Sequence, residues 1–161
     1  MYGIEILVKE HENILRLTKI IRKMLIKSLN EDKKICVEDF KIVVEIIKNY
    51  TDAHHHGKEE EILFKYMLEE IGPVAQKIIR NGMLVEHDQA RHSARNLSNS
   101  LKNYENENST ENFLDLLGFS FKYLTLLEDH AARENTVVYP FAEKTLKKET
   151  KLKIDEESRS E

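Results

Sequence analysis

Apolar residues return along this chain at intervals of three and four, the spacing that lines one face of an α-helix. In the first such stretch, about Ile4 to Leu29, the residues Ile4, Leu7, Val8, His11, Ile14, Leu15, Thr18, Ile21 and Leu25 share a face. The polar break "NEDKK" separates it from a second stretch, about Val37 to Glu69, which Gly72-Pro73 ends. A short piece, Val74 to Arg80, leads through Asn81-Gly82 into a third helix, Met83 to Tyr104. The run "ENENST" reads as a loop, with Ser109 or Thr110 placed to cap a fourth helix over about Thr110 to Lys147. Long helices joined by short connections predict an all-α, up-down-up-down four-helix bundle over residues 1–147. Residues 148–161 are polar and are expected to form a frayed, disordered tail.

Two of these helices carry related motifs, "HHHGKEEEILF" and "HAARENTVVY". His11 precedes His55 by almost the same interval as His87 precedes His130, so the chain reads as two similar hairpins. Helical phase sorts their polar residues. Stepping from His55 meets Val44, Ile47 and Thr51 on one side and Glu59, Ile62, Leu63 and Tyr66 on the other, an apolar stripe containing one His and one Glu. From His56 the same steps meet Asn49, Asp52 and Glu60, a wet face, and His54 lies at a boundary. His130 shares its face with Leu116, Ser120, Tyr123, Leu127, Glu134, Val137 and Phe141. His87 lines up with Met83, Leu84, Ala90, Ala94 and Leu101, whereas His92 falls among Asp88, Gln89, Arg95 and Asn99 on the surface. Each long helix therefore offers one inward His, and two add an inward Glu one turn later.

Composition narrows the class of function. At 161 residues the chain fits one domain, and 40% hydrophobic with 34% charged residues describes a folded protein in water. Five Gly and two Pro agree with long uninterrupted helices. A net charge of −4 supplies no basic field for nucleic acid or an anionic membrane. No stretch approaches the length of an apolar membrane span, and the first residues contain no signal-peptide core. The single Cys36 cannot form an internal disulfide, and with these features it leads to the expectation of a cytoplasmic protein.

A single His-x-x-x-Glu on a helix is ordinarily an exposed pair, and a lone inward His is ordinarily a hydrogen-bonded core residue. The joint pattern differs. Four imidazoles and two carboxylates gathered in an apolar core each cost on the order of several kcal/mol if uncompensated. Cations compensate them, and imidazole nitrogen with carboxylate oxygen suits the intermediate first-row metals. His11, His55, Glu59, His87, His130 and Glu134 divide into two sets of three, with the glutamates available to bridge. One zinc ion needs only three or four such ligands.

This ordered set, with "LF" and "VYP" after the paired motifs, closely resembles the hemerythrin-like, HHE cation-binding family over roughly residues 3 to 145. The resemblance implies a four-helix bundle with a non-haem, carboxylate-bridged pair of iron ions; manganese or a mixed pair satisfies the same donors. It further implies a small ligand such as dioxygen, peroxide or nitric oxide, and is compatible with an unidentified redox partner. Oxygen-carrying hemerythrins place two histidines a turn apart on the third helix, for five His and two carboxylates, but here Arg91 stands one turn after His87. One ion thereby loses a protein ligand, leaving a position for water or substrate and favouring inner-sphere chemistry over reversible carriage. Glu12, His56 or Glu60 supplies a seventh ligand if the local helix is irregular. Tyr66, Tyr123 and Arg91 are candidates for contacts just outside the ligands. The functions to be separated are an oxygen-binding or sensing protein, an oxidoreductase acting on peroxide or nitric oxide, and an iron storage or delivery module.

Overall fold

Scarce helix breakers leave long rods. The structure, a computed structural model, describes residues 1–30 and 34–159, so residues 31–33 of the break "NEDKK" lie outside it. Helix α1 spans Tyr2–Asn30. The second rod begins with α2 (Val37–Ile46), widens into π-helical turns at Ile47–His56 and Glu59–Leu63, and ends in α3 (Phe64–Glu70). Gly72 takes a φ of 77°, a left-handed conformation that glycine adopts without a Cβ clash, and Pro73 starts α4 (Pro73–Ile78). Asn81-Gly82 does not break the third rod. It sits inside a π-turn, Ile79–Met83, that joins α4 to α5 (Leu84–Asn106). The hydroxyl of Ser109 accepts the Asn112 amide at 3.2 Å and caps α6 (Thr110–Arg133), which passes through a π-turn at Glu134–Val138 into α7 (Tyr139–Thr145). Among the described residues the chain is helical without strands, as the hydrophobic pattern predicts.

Contacts of α1 with α6, α6 with α5, α5 with α2 and the Ile47–His56 turn with α1 close the four rods into a bundle. Its interior holds two apolar clusters. One includes Ile14, Ile21, Phe40, Leu97, Leu116 and Leu127; the other includes Leu7, Leu63, Met67, Ile79, Val138 and Ala142. On every rod the predicted inward His lies between the residues of one cluster and those of the other, so a polar layer separates two dry halves.

The tail departs from expectation. Lys148–Glu157 forms an eighth helix, α8, because one apolar side chain, Ile154, docks in a notch at Gly3. A Cβ at Gly3 would lie 2.9 Å from Ile154 and 2.8 Å from the Ser158 hydroxyl. The Gly3 amide donates to Asp155 at 2.8 Å, Tyr66 donates to Glu157, and Glu70 receives the Lys147 amide and the Thr150 hydroxyl. No helix among the described residues is long and apolar enough to cross a membrane.

Candidate metal centre

A π-turn inserts one residue into the helical repeat and rotates everything beyond it. Two consequences shape the polar layer. Behind Glu134 the inward position moves from Val137, which is 56% exposed, to Val138, which is 2% exposed. Pro140 follows this turn and has no amide to offer an α-type bond. In the second rod, the widened turn from Ile47 brings His56 inward beside His55. The unbroken α phase had placed His56 on a wet face; it is 1% exposed.

Seven buried residues supply the layer: His11, His55, His56, Glu59, His87, His130 and Glu134. Their donor atoms form two groups, His56, Glu59, His87 and His130 in one, His11, His55, Glu59 and Glu134 in the other, each within 4.8 Å of its fellows. Glu59 belongs to both. Glu134 also reaches across, with Oε2 3.2 Å from His11 Nε2 and 3.1 Å from His130 Nε2, and Oε1 3.8 Å from His87 Nε2. The inward nitrogens Nε2 of His55, His56, His87 and His130, with Glu59 Oε2 and both Glu134 oxygens, have no hydrogen-bond partner. Buried polar atoms are rarely left so.

Around this layer the outer nitrogens of four of the imidazoles are held. His11 Nδ1 donates to Asn135 Oδ1 at 2.9 Å, His55 Nδ1 to Glu10 at 2.9 Å, His87 Nδ1 to Glu60 at 2.7 Å and His130 Nδ1 to Glu86 at 2.8 Å. With Nδ1 donating outward, each ring turns Nε2 to the centre, where it offers a lone pair whenever the ring is neutral. The carboxylates are themselves anchored: Lys58 donates to Glu10 at 2.6 Å, Arg133 to Glu86 at 2.9 Å, and Arg91 to Glu60 at 2.7 Å and Asp52 at 2.8 Å.

These partners follow the internal repeat. Glu10 and Glu86 each precede an inward His and bond the His of the next rod; Lys58 and Arg133 each precede a bridging Glu; Glu60 and Asn135 each follow one. The doubled frame "EH … H-x-x-[KR]-E-[EN]" is a signal that the phase reading of the ligands alone passed over. Two positions break the symmetry. His56 corresponds to Ala131, and Tyr139 corresponds to Phe64. Tyr139 donates to Glu59 Oε1 at 2.6 Å and lies 3.5 Å from His11 Nε2, while Phe64 stacks at 5.7 Å on His87.

Burial and the opposing charges of the layer act against each other on the imidazoles. Burial opposes charge on His87, but Glu134, Glu59 and Glu60 outweigh it and push its pKa up to about 11. Burial likewise opposes charge on His130, and its contacts with Glu134 and Glu86 raise it to about 9. Glu134 is held well below the usual carboxylate range: burial acts against its charge, and His130, His11 and His87 overcome that. Positive charge on His87 and His130 is thus favoured beside the buried glutamates. Burial dominates at His56 and lowers it to about 4.

The structure brings the six predicted inward residues together and adds His56 from the three optional ones. Glu12 is exposed, and Glu60 is a partner of His87 outside both donor groups. Arg91 donates to Glu60 and Asp52. Tyr66 turns away to Glu157, and Tyr123 is buried beside a cavity that His56 lines. His92 is exposed and bonds Asn96. With His56, one of the optional donors, five imidazoles and two carboxylates lie together in the layer, the fifth imidazole coming from the second rod.

A helical bundle whose two dry halves enclose a layer of His and Glu donors defines a cation-binding bundle protein. The chain belongs to the hemerythrin family, the HHE cation-binding domain, which it matches over residues 2–149. No curated protein and no solved structure matches it.

Proposed function

We propose that this chain holds two iron ions in the polar layer and binds, senses or reacts with a small ligand such as dioxygen, peroxide or nitric oxide. One observation carries the reading: buried donor atoms without hydrogen-bond partners fall into two groups that share Glu59. His56, His87 and His130 would hold one ion, His11 and His55 the other, with Glu59 and Glu134 spanning both. Nitrogen and oxygen donors without sulfur suit iron, with manganese as the nearest substitute, and seven donors exceed what a single tetrahedral zinc employs. The ions, when bound, supply ligand binding and electron exchange.

The protein's own part is to position and to insulate. Glu10, Glu60, Glu86 and Asn135 fix four imidazoles, and Lys58, Arg91 and Arg133 hold those carboxylates in place. Tyr139 keeps a hydroxyl proton against Glu59, beside His11, where a bound ligand could share it. Metal analysis of untagged protein after anaerobic iron loading tests the reading, with two irons per chain as the expected result. Less than one equivalent would overturn it. Oxygen added to the reduced protein then separates the roles: a reversible spectral change marks binding or sensing, and oxidation with turnover of added peroxide marks an oxidoreductase.

A further inference from the structure

The two donor groups are not equally supplied. His56, His87 and His130 join Glu59 in one, whereas only His11 and His55 join the two glutamates in the other. The outer bonds differ in the same direction. His87 and His130 donate to the carboxylates of Glu60 and Glu86 at 2.7 and 2.8 Å, each carboxylate held by an arginine, and Asp52 lies 3.5 Å from His56 Nδ1. His55 likewise meets a carboxylate, Glu10, held by Lys58. His11 is the exception. Its Nδ1 donates at 2.9 Å to the neutral amide oxygen of Asn135. The doubled frame makes the difference specific, since Asn135 follows Glu134 as Glu60 follows Glu59. On the same side, Tyr139 lies 3.5 Å from His11 Nε2 and donates to Glu59 Oε1 at 2.6 Å, so one oxygen of the shared carboxylate is already engaged there.

Resting on the two-iron reading and going beyond it, we infer that Asn135 makes the two ions unequal: the His56–His87–His130 position fills first, and the His11–His55 position fills last and empties first. A carboxylate acceptor forms a charge-assisted bond, about twice as strong as one to a neutral amide, and raises the affinity of the ring for a cation. Asn135 acts on the ion only through His11, as a positioning residue. It orients the ring without that added charge. The chain therefore has a one-ion state, and completion of the pair follows the free ferrous concentration.

Anaerobic titration of the untagged, metal-free full chain with ferrous ion, in competition with a chromophoric chelator, reads both affinities. Two steps separated by about tenfold or more are expected. His11→Ala should remove the weaker step and keep the tighter one at its wild-type affinity, whereas His87→Ala should remove the tighter one. Asn135→Ala should weaken the second step alone, by about 10–100-fold, and Asn135→Asp should tighten it. The aspartate preserves the shape of the side chain and carries the test if Asn135→Ala loses its fold. Equal affinities in the wild type, or loss of the tighter step from His11→Ala, would overturn the inference. So would a second step that neither Asn135 variant moves, or a shift of both steps together, which would mark a general structural effect. Each of these failures leaves two irons per chain at saturation and the two-iron reading intact. A wild type that saturates below two irons would remove that reading, and this inference with it.

Discussion

An imidazole ligand needs two partners, one for each nitrogen, and the residues that set the outer nitrogen are as specific here as those at the centre. Glu60 receives His87 Nδ1 at 2.7 Å and is held by Arg91, so Glu60→Gln should keep the shape but weaken the acceptor. Such losses reduce metal affinity by about 10–100-fold; competition with a chelator measures it, and an unchanged affinity would deny Glu60 this role. Glu10→Gln should act similarly through His55, and should also strand Lys58, which is 4% exposed. Tyr139→Phe removes a hydroxyl that donates to Glu59 at 2.6 Å. It should preserve iron content and alter the ferric spectrum or the lifetime of the bound ligand. Loss of iron instead would assign Tyr139 to the metal shell.

The elements place these side chains through their irregular turns. His11, His55, Glu59, His87, His130 and Glu134 were legible because three-and-four spacing survives locally even where a rod is irregular farther along. His56 and Val138 were not, because an inserted residue shifts phase and little in the sequence announces it. Pro140 is a partial marker for one such turn; the segment Ile47–His56 contains no comparable one. Helix ends were easier to read, since Ser109 and Gly72-Pro73 act through their own backbone chemistry. The docking of α8 was hidden because it depends on a notch at Gly3, distant in sequence, meeting the single buried Ile154. Gly3→Val should therefore destabilise the protein by about 1–3 kcal/mol through overpacking. Thermal melting checks this; an unchanged midpoint would mean that α8 contributes little to the fold.

At the level of the whole molecule, the metal site is a seam between two apolar cores, and its charge balance is part of stability. In the metal-free chain His87 and His130 have pKa values raised to about 11 and about 9 from an ordinary 6.5. Their stabilising contribution is complete below 6.5 and is lost as pH rises through 9 toward 11. The metal-free protein should therefore lose thermal stability between pH 6.5 and pH 9. Iron loading replaces the protons and should flatten that decline while raising the midpoint, and chelation should reverse both effects. A metal-free protein equally stable at both pH values would contradict this charge balance. The sequence by itself determined the all-α bundle and the inward placement of four His and two Glu, because each follows from local periodicity and backbone chemistry. Tertiary structure alone decided that His56 joins them, that Arg91 serves two carboxylates and that Tyr139 reaches Glu59. Those outcomes depend on how far each turn rotates and on what the neighbouring rod presents at that height, quantities that no local spacing contains.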